Sequence, residues 1–129
     1  MAGELILIVE DNEKNRKLVR DVLQWKGYRT IEAETAEIGL ALAREASPVL
    51  ILMDIQLPGM NGIDALVALR ADAATRSIPV VAVTASAMTQ DRQRILAAGF
   101  DAYQSKPIDV RGFLELVSTL LAAGPRERA

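Results

Sequence analysis

Three short, unbroken aliphatic runs do most to limit what this chain can become. They are Leu5-Ile6-Leu7-Ile8-Val9, Val49-Leu50-Ile51-Leu52-Met53 and Val80-Val81-Ala82-Val83. A strand with one wet face alternates apolar and polar residues. A run with no polar member suits a strand covered on both faces, as in a parallel sheet. Two weaker strands are predicted at Arg29–Ala33 and Ala102–Ser105. Between the strands, apolar residues recur at helical spacing. Leu18, Val19, Val22 and Leu23 precede the stop signal Gly27. Ile38, Leu42 and Ala43 follow Thr35, a predicted N-cap. Ile63, Leu66, Val67 and Leu69 make a third stripe. Ile95 and Leu96 lie between Thr89, a second predicted cap, and Gly99. Phe113, Leu116, Val117 and Leu120 follow Asp109, a third. The order βαβαβαβαβα predicts an α/β fold: a parallel sheet with helices on both faces. Right-handed crossovers leave few topologies.

Composition narrows the chemistry. The chain of 129 residues has room for one domain, predicted over residues 4–122. The tail 123–129 has no apolar face and is expected to fray. No linker to a second domain is visible, so no DNA-binding output domain is expected. There is no cysteine and no histidine. Disulfides, thiolate metal sites, Ser-His and Cys-His catalysis and a phosphohistidine on this chain are therefore excluded. Fifteen basic and seventeen acidic residues leave a net charge of −2, which gives no bulk electrostatic drive toward nucleic acid. Leu5–Val9 is too short for a signal segment or a membrane span, and no basic residue precedes it. A cytoplasmic protein is the expectation.

The polar residues that matter stand where the strands end. Glu10-Asp11 follows the first run, Asp54 the second run and Thr84 the third, while Lys106 follows the predicted strand Ala102–Ser105. Open α/β sheets bind ligands outside the carboxyl ends of their strands, where strand order reverses. Taken singly, each residue has a plainer reading: Glu10-Asp11 as a solvated helix start, Asp54 as a turn residue, Thr84 as a cap, Lys106-Pro107 as a loop. Their shared placement at one sheet edge argues for a site. Two like charges about 4 Å apart repel by roughly 4 kcal/mol at an effective dielectric near 20. Glu10, Asp11 and Asp54 together therefore call for compensation. Lys106 supplies one positive charge. Oxygen ligands without nitrogen or sulfur select a hard cation such as magnesium for the rest.

Four segments carry a family resemblance: Ile8-Val9-Glu10-Asp11-Asn12, Leu52-Met53-Asp54 through Gly62, Val83-Thr84-Ala85 and Ser105-Lys106-Pro107-Ile108. In this order and spacing the chain resembles a response-regulator receiver domain, the phosphoryl-accepting half of two-component signalling. It looks most like the stand-alone regulators of cell division and polarity in alphaproteobacteria. The resemblance implies a flavodoxin-like, doubly wound sheet of five parallel strands in the order 2-1-3-4-5. It implies Asp54 as the phosphoacceptor. Magnesium would be ligated by Asp11, Asp54 and the Gln56 carbonyl, with Glu10 acting through water. Lys106 would pair with Asp54 and then with a phosphoryl oxygen. Thr84 would donate to the phosphoryl group and Tyr103 would be the aromatic switch partner. Pro107 would follow a cis bond. The implied partners are a histidine kinase or histidine phosphotransfer protein, and a downstream protein that reads the face formed by the fourth helix, fifth strand and fifth helix. Thr84, turning inward, would vacate volume beneath the loop from Ala85 to Thr89, Tyr103 would rotate into it, and that face would change shape. No direct contact with nucleic acid or membrane is implied.

Other readings stand beside this one. A receiver-like module could bind partners without phosphorylation, although the intact acids and lysine argue against it. An aspartate-nucleophile phosphatase would want a second acid two residues after the nucleophile, where Gln56 stands. The chain is therefore expected not to be an enzyme beyond assisting its own phosphorylation and dephosphorylation. No Gly-x-Gly-x-x-Gly or Gly-Lys-Ser/Thr loop follows the first strand, which argues against a nucleotide-binding domain. Tyr103 also reads as half-buried strand packing. Trp25 is expected in the core or at its rim, and Arg92, Gln93 and Arg94 on a solvated helix face.

Overall fold

A computed structural model describes residues 3–85 and 89–125. Five strands and five helices alternate: β1 (Leu5–Val9), α1 (Glu13–Trp25), β2 (Arg29–Ala33), α2 (Ala36–Ala46), β3 (Leu50–Asp54), α3 (Gly62–Ala71), β4 (Val80–Thr84), α4 (Thr89–Ala97), β5 (Ala102–Ser105) and α5 (Val110–Ala123). All strand pairs are parallel, in the order β2-β1-β3-β4-β5. This is the flavodoxin-like arrangement.

The aliphatic runs are continuous because both faces of the sheet are covered. Leu7, Val9, Ile51, Met53, Val80 and Ala82 point to one face, where Ala36 and Ala43 of α2, Ala65, Leu66 and Leu69 of α3 and Ile95 of α4 meet them. Ile6, Ile8, Leu50, Leu52, Val81 and Val83 point to the other, against Val19 and Leu23 of α1 and Phe113 and Val117 of α5. Side chains alternate faces along a strand, so each run feeds two cores at once. The edge strands β2 and β5 are only half-buried over most of their length, which is why their sequences are mixed.

Asn12, Thr35, Asn61 and Asp109 cap helices α1, α2, α3 and α5, each accepting from a backbone N–H three residues on. Helix α1 ends ahead of Gly27, whose φ is 102°. The side chain of Thr89 and residues 126–129 of the expected frayed tail lie outside what is described, as does the middle of the Ala85–Thr89 loop. The helices bury narrower faces than their apolar stripes suggest. Leu18, Ile38, Val67 and Leu96 are exposed, because a helix lying on a sheet turns only a narrow face inward. Trp25, expected in the core or at its rim, is 78% exposed. It sits at the last residue of α1, beyond the reach of the sheet. Arg92, Gln93 and Arg94 are exposed, as expected.

Two local features lie at the carboxyl edge of the sheet. The Lys106–Pro107 peptide bond is cis. Gly62, the first residue of α3, donates its N–H to the Ile55 carbonyl at 3.1 Å. A Cβ at Gly62 would lie 2.6 Å from the Asp54 carbonyl oxygen and 2.9 Å from the Ile55 Cα. Only glycine lets the helix start pass this close to the end of β3.

Candidate functional site

Strand order reverses between β1 and β3, so the carboxyl ends of these two strands open onto a crevice. Glu10 follows β1, and its N–H still pairs with the Ala33 carbonyl of β2 at 3.0 Å. That extra ladder bond keeps Glu10 buried at 5% exposure, while Asp11 beside it turns out to solvent. Asp54 is the last residue of β3 and is 4% exposed. Carboxylate oxygens of Glu10, Asp11 and Asp54 lie within 4.8 Å of one another.

Lys106 reaches this trio from the far edge of the sheet. Its backbone N–H donates to the Thr84 carbonyl at 2.8 Å, extending β5 alongside β4. Its Nζ donates to Glu10 Oε1 at 2.8 Å and to Asp54 Oδ2 at 3.1 Å. The remaining oxygens are held locally: Glu10 Oε2 accepts from the Asn12 N–H at 3.1 Å, and Asp54 Oδ1 from the Gln56 N–H at 2.9 Å. Burial and the neighbouring Asp54 carboxylate raise the Glu10 pKa above its ordinary value, against the pull of Lys106 and the Asn12 N–H. For Lys106, burial acts downward. Its bonds to Glu10 and Asp54 outweigh that, and the ammonium ends above the usual lysine value.

Thr84 ends β4 and is buried, one strand from Asp54 in the sheet order. Tyr103 lies in β5 opposite Ala82. It is half-buried against the core beneath α3 and α4, and the guanidinium carbon of Arg92 stands 5.8 Å from its ring centre. Glu10, Asp11, Asp54 and Lys106 thus converge, with Thr84 at the end of the adjoining strand. Gln56 lies in the loop just past Asp54, and Tyr103 belongs to the packing around the site.

Two features escaped the sequence pattern. Lys106 is shared between Asp54 and Glu10, not given to Asp54 alone. Arg16, on the first turns of α1, donates to the backbone carbonyls of Glu10 and Asp11. No motif marks a side chain that works through carbonyl groups.

A family profile described as "Response regulator receiver domain" matches residues 6–118. The chain belongs to this family. It is 49% identical over 116 residues to the polar-differentiation response regulator DivK of Brucella ovis, covering 90% of this chain and 94% of that protein. Among solved structures, the receiver domain of a sensor histidine kinase from Pseudomonas aeruginosa aligns with a TM-score of 0.87 at 31% identity. The match covers 94% of this chain and 99% of that domain, whose active-site cleft holds a magnesium ion. A CheY-like receiver domain protein from Methanospirillum hungatei gives 0.85 at 31% identity, over 95% of this chain and 96% of its own. The receiver-domain assignment agrees with the donor chemistry. Three clustered carboxylates, with no nitrogen or sulfur ligand near, suit a hard divalent cation bound through oxygen. Among the described residues no helix is long and apolar enough to cross a membrane.

Proposed function

We propose that Asp54 of this receiver domain accepts a phosphoryl group from the phosphohistidine of a kinase or phosphotransfer protein, and that the modified chain signals through protein contacts. The observation that carries this reading is the double contact of Lys106 Nζ with Glu10 and Asp54. It puts a fixed positive charge on the one buried carboxylate that ends a central strand.

Asp11, Asp54 and the Gln56 carbonyl would hold magnesium, with Glu10 engaged through water. When bound, the ion offsets charge on the phosphoryl oxygens, where position and electrostatics supply nearly all the catalysis. An Asp54 carboxylate oxygen forms the new O–P bond as the donor's N–P bond breaks toward the imidazole. Lys106 turns from the acids to a phosphoryl oxygen, and the Thr84 hydroxyl donates to another. Tyr103 follows as the switch partner, and the α4–β5–α5 face is what a downstream protein reads. The chain acts on itself and turns over no other substrate, works in the cytoplasm and makes no direct contact with nucleic acid.

Incubation with magnesium and acetyl phosphate, followed by intact-mass measurement, tests the reading. One phosphoryl group should be gained in the presence of magnesium and none in EDTA. Asp54→Asn should gain none while keeping its circular dichroism. Labelling of that variant at the parent rate would reject Asp54 as the acceptor.

A further inference from the structure

We infer that Arg16 is a positioning residue for the cation: it holds the Glu10-Asp11 backbone so that the exposed Asp11 carboxylate faces Asp54. The inference rests on the reading of the acidic cluster as a magnesium site.

The geometry is that of a clamp. Arg16 Nη1 donates to the Glu10 carbonyl at 3.0 Å and, more weakly, to the Asp11 carbonyl at 3.4 Å. Its Nε donates to Glu32 Oε1 at 3.3 Å, and its Nη2 stands 3.6 Å from Glu34 Oε1. The side chain is only 12% exposed. One guanidinium therefore ties the loop after β1 to β2 and to the residue just beyond it. Glu32 also accepts from Arg20 Nη1 at 3.0 Å. Glu10 needs little of this help, because its side chain is already fixed by Lys106 and Asn12. For Asp11 no side-chain hydrogen bond is seen among the described residues, and it faces solvent. With no side-chain partner to fix it, its carboxylate is placed by its rotamer on a backbone that Arg16 holds. A planar fork can serve two carbonyls and two carboxylates together, whereas the ammonium of lysine acts as a point charge. Arg16→Lys should keep the charge and lose the geometry.

The test compares Arg16→Lys with Arg20→Lys. Arg20 shares the same anchor, Glu32, but touches neither Glu10 nor Asp11. Magnesium affinity is measured by calorimetry, labelling by acetyl phosphate at subsaturating and saturating magnesium, and thermal melting in EDTA. Arg16→Lys should weaken magnesium binding three- to tenfold and slow labelling at subsaturating magnesium. Its rate at saturating magnesium should stay within twofold of the parent. Arg20→Lys should match the parent in magnesium affinity, whatever it does to the melting temperature. A general structural role would instead lower both melting temperatures and leave magnesium affinity unchanged. Equal magnesium affinity for Arg16→Lys and the parent overturns the positioning role alone. A parent protein that takes up no magnesium overturns the underlying reading as well.

Discussion

Lys106 is the residue whose loss the site should tolerate least. Among the described residues, its ammonium is the one cation in contact with two buried carboxylates. Removing one member of such a set leaves charge buried without a partner, which costs about 3 kcal/mol at the low end of measured ranges. Lys106→Met should lose about that much in urea unfolding with EDTA present and recover part of it with magnesium. Equal stability of variant and parent in EDTA would show that hydration already offsets the charge of the acids. Glu10 supplies a second check, through pH. Its folded pKa is raised, chiefly by burial, so the unfolded chain loses that proton first as pH rises. The stability tied to this proton is complete below about 4.5, the usual glutamate value, and is lost as pH climbs through the raised value. In EDTA, the parent should therefore lose stability over the weakly acidic range relative to Glu10→Gln. Parallel stability profiles for the two proteins would contradict that direction.

At the scale of elements, strands were more legible than helices. Even the mixed edge strands Arg29–Ala33 and Ala102–Ser105 have the extents that their residues suggested. A strand pressed between two helical layers has no wet face, so its composition states its burial directly. A helix on a sheet shows more surface than it hides. In α3, Val67 is as apolar as Leu66 yet 61% exposed, and composition cannot tell the two apart. Of the site, the acids, Thr84 and Lys106 were legible because strand ends deliver them to one edge. Arg16 was not, because its role lies in backbone acceptors that no sequence displays. The start of α3 gives a prediction at this scale. Gly62→Ala would push a methyl group to 2.6 Å from the Asp54 carbonyl, so the helix must back away from β3. Overpacking of this kind costs about 1–3 kcal/mol, and it displaces the acceptor strand. The expected outcome is a lower urea midpoint together with slower acetyl phosphate labelling. A variant with the parent midpoint would mean that the loop absorbs the methyl group.

Across the whole molecule, the question is how a change at Asp54 reaches a distant face. On the function proposed above, the route would run across the sheet, from β3 through Thr84 on β4 to Tyr103 on β5. A hydrogen bond to a charged group supplies about 1.5–3 kcal/mol, and a ligand moves an equilibrium only by its different interaction with the two states. Beryllofluoride with magnesium, a stand-in for the phosphoryl group, should shift backbone amide resonances in β5 and α5. Thr84→Ala should still bind it but lose most of that remote shift. Full remote shifts in the variant would remove Thr84 from the route.

The contact between Lys106 and Glu10 joins residues 96 positions apart, and it bears on how the protein is made. A nascent chain that has emerged past Asp54 already carries all three acids but lacks β4, β5 and the lysine that follows β5. Such a chain has nothing to hold the carboxylates together in a dry crevice. On the function proposed above, competence to receive a signal would arise only when the last strand docks. Truncated or stalled translation products would be silent in the relay, and could not drain phosphoryl groups from finished copies.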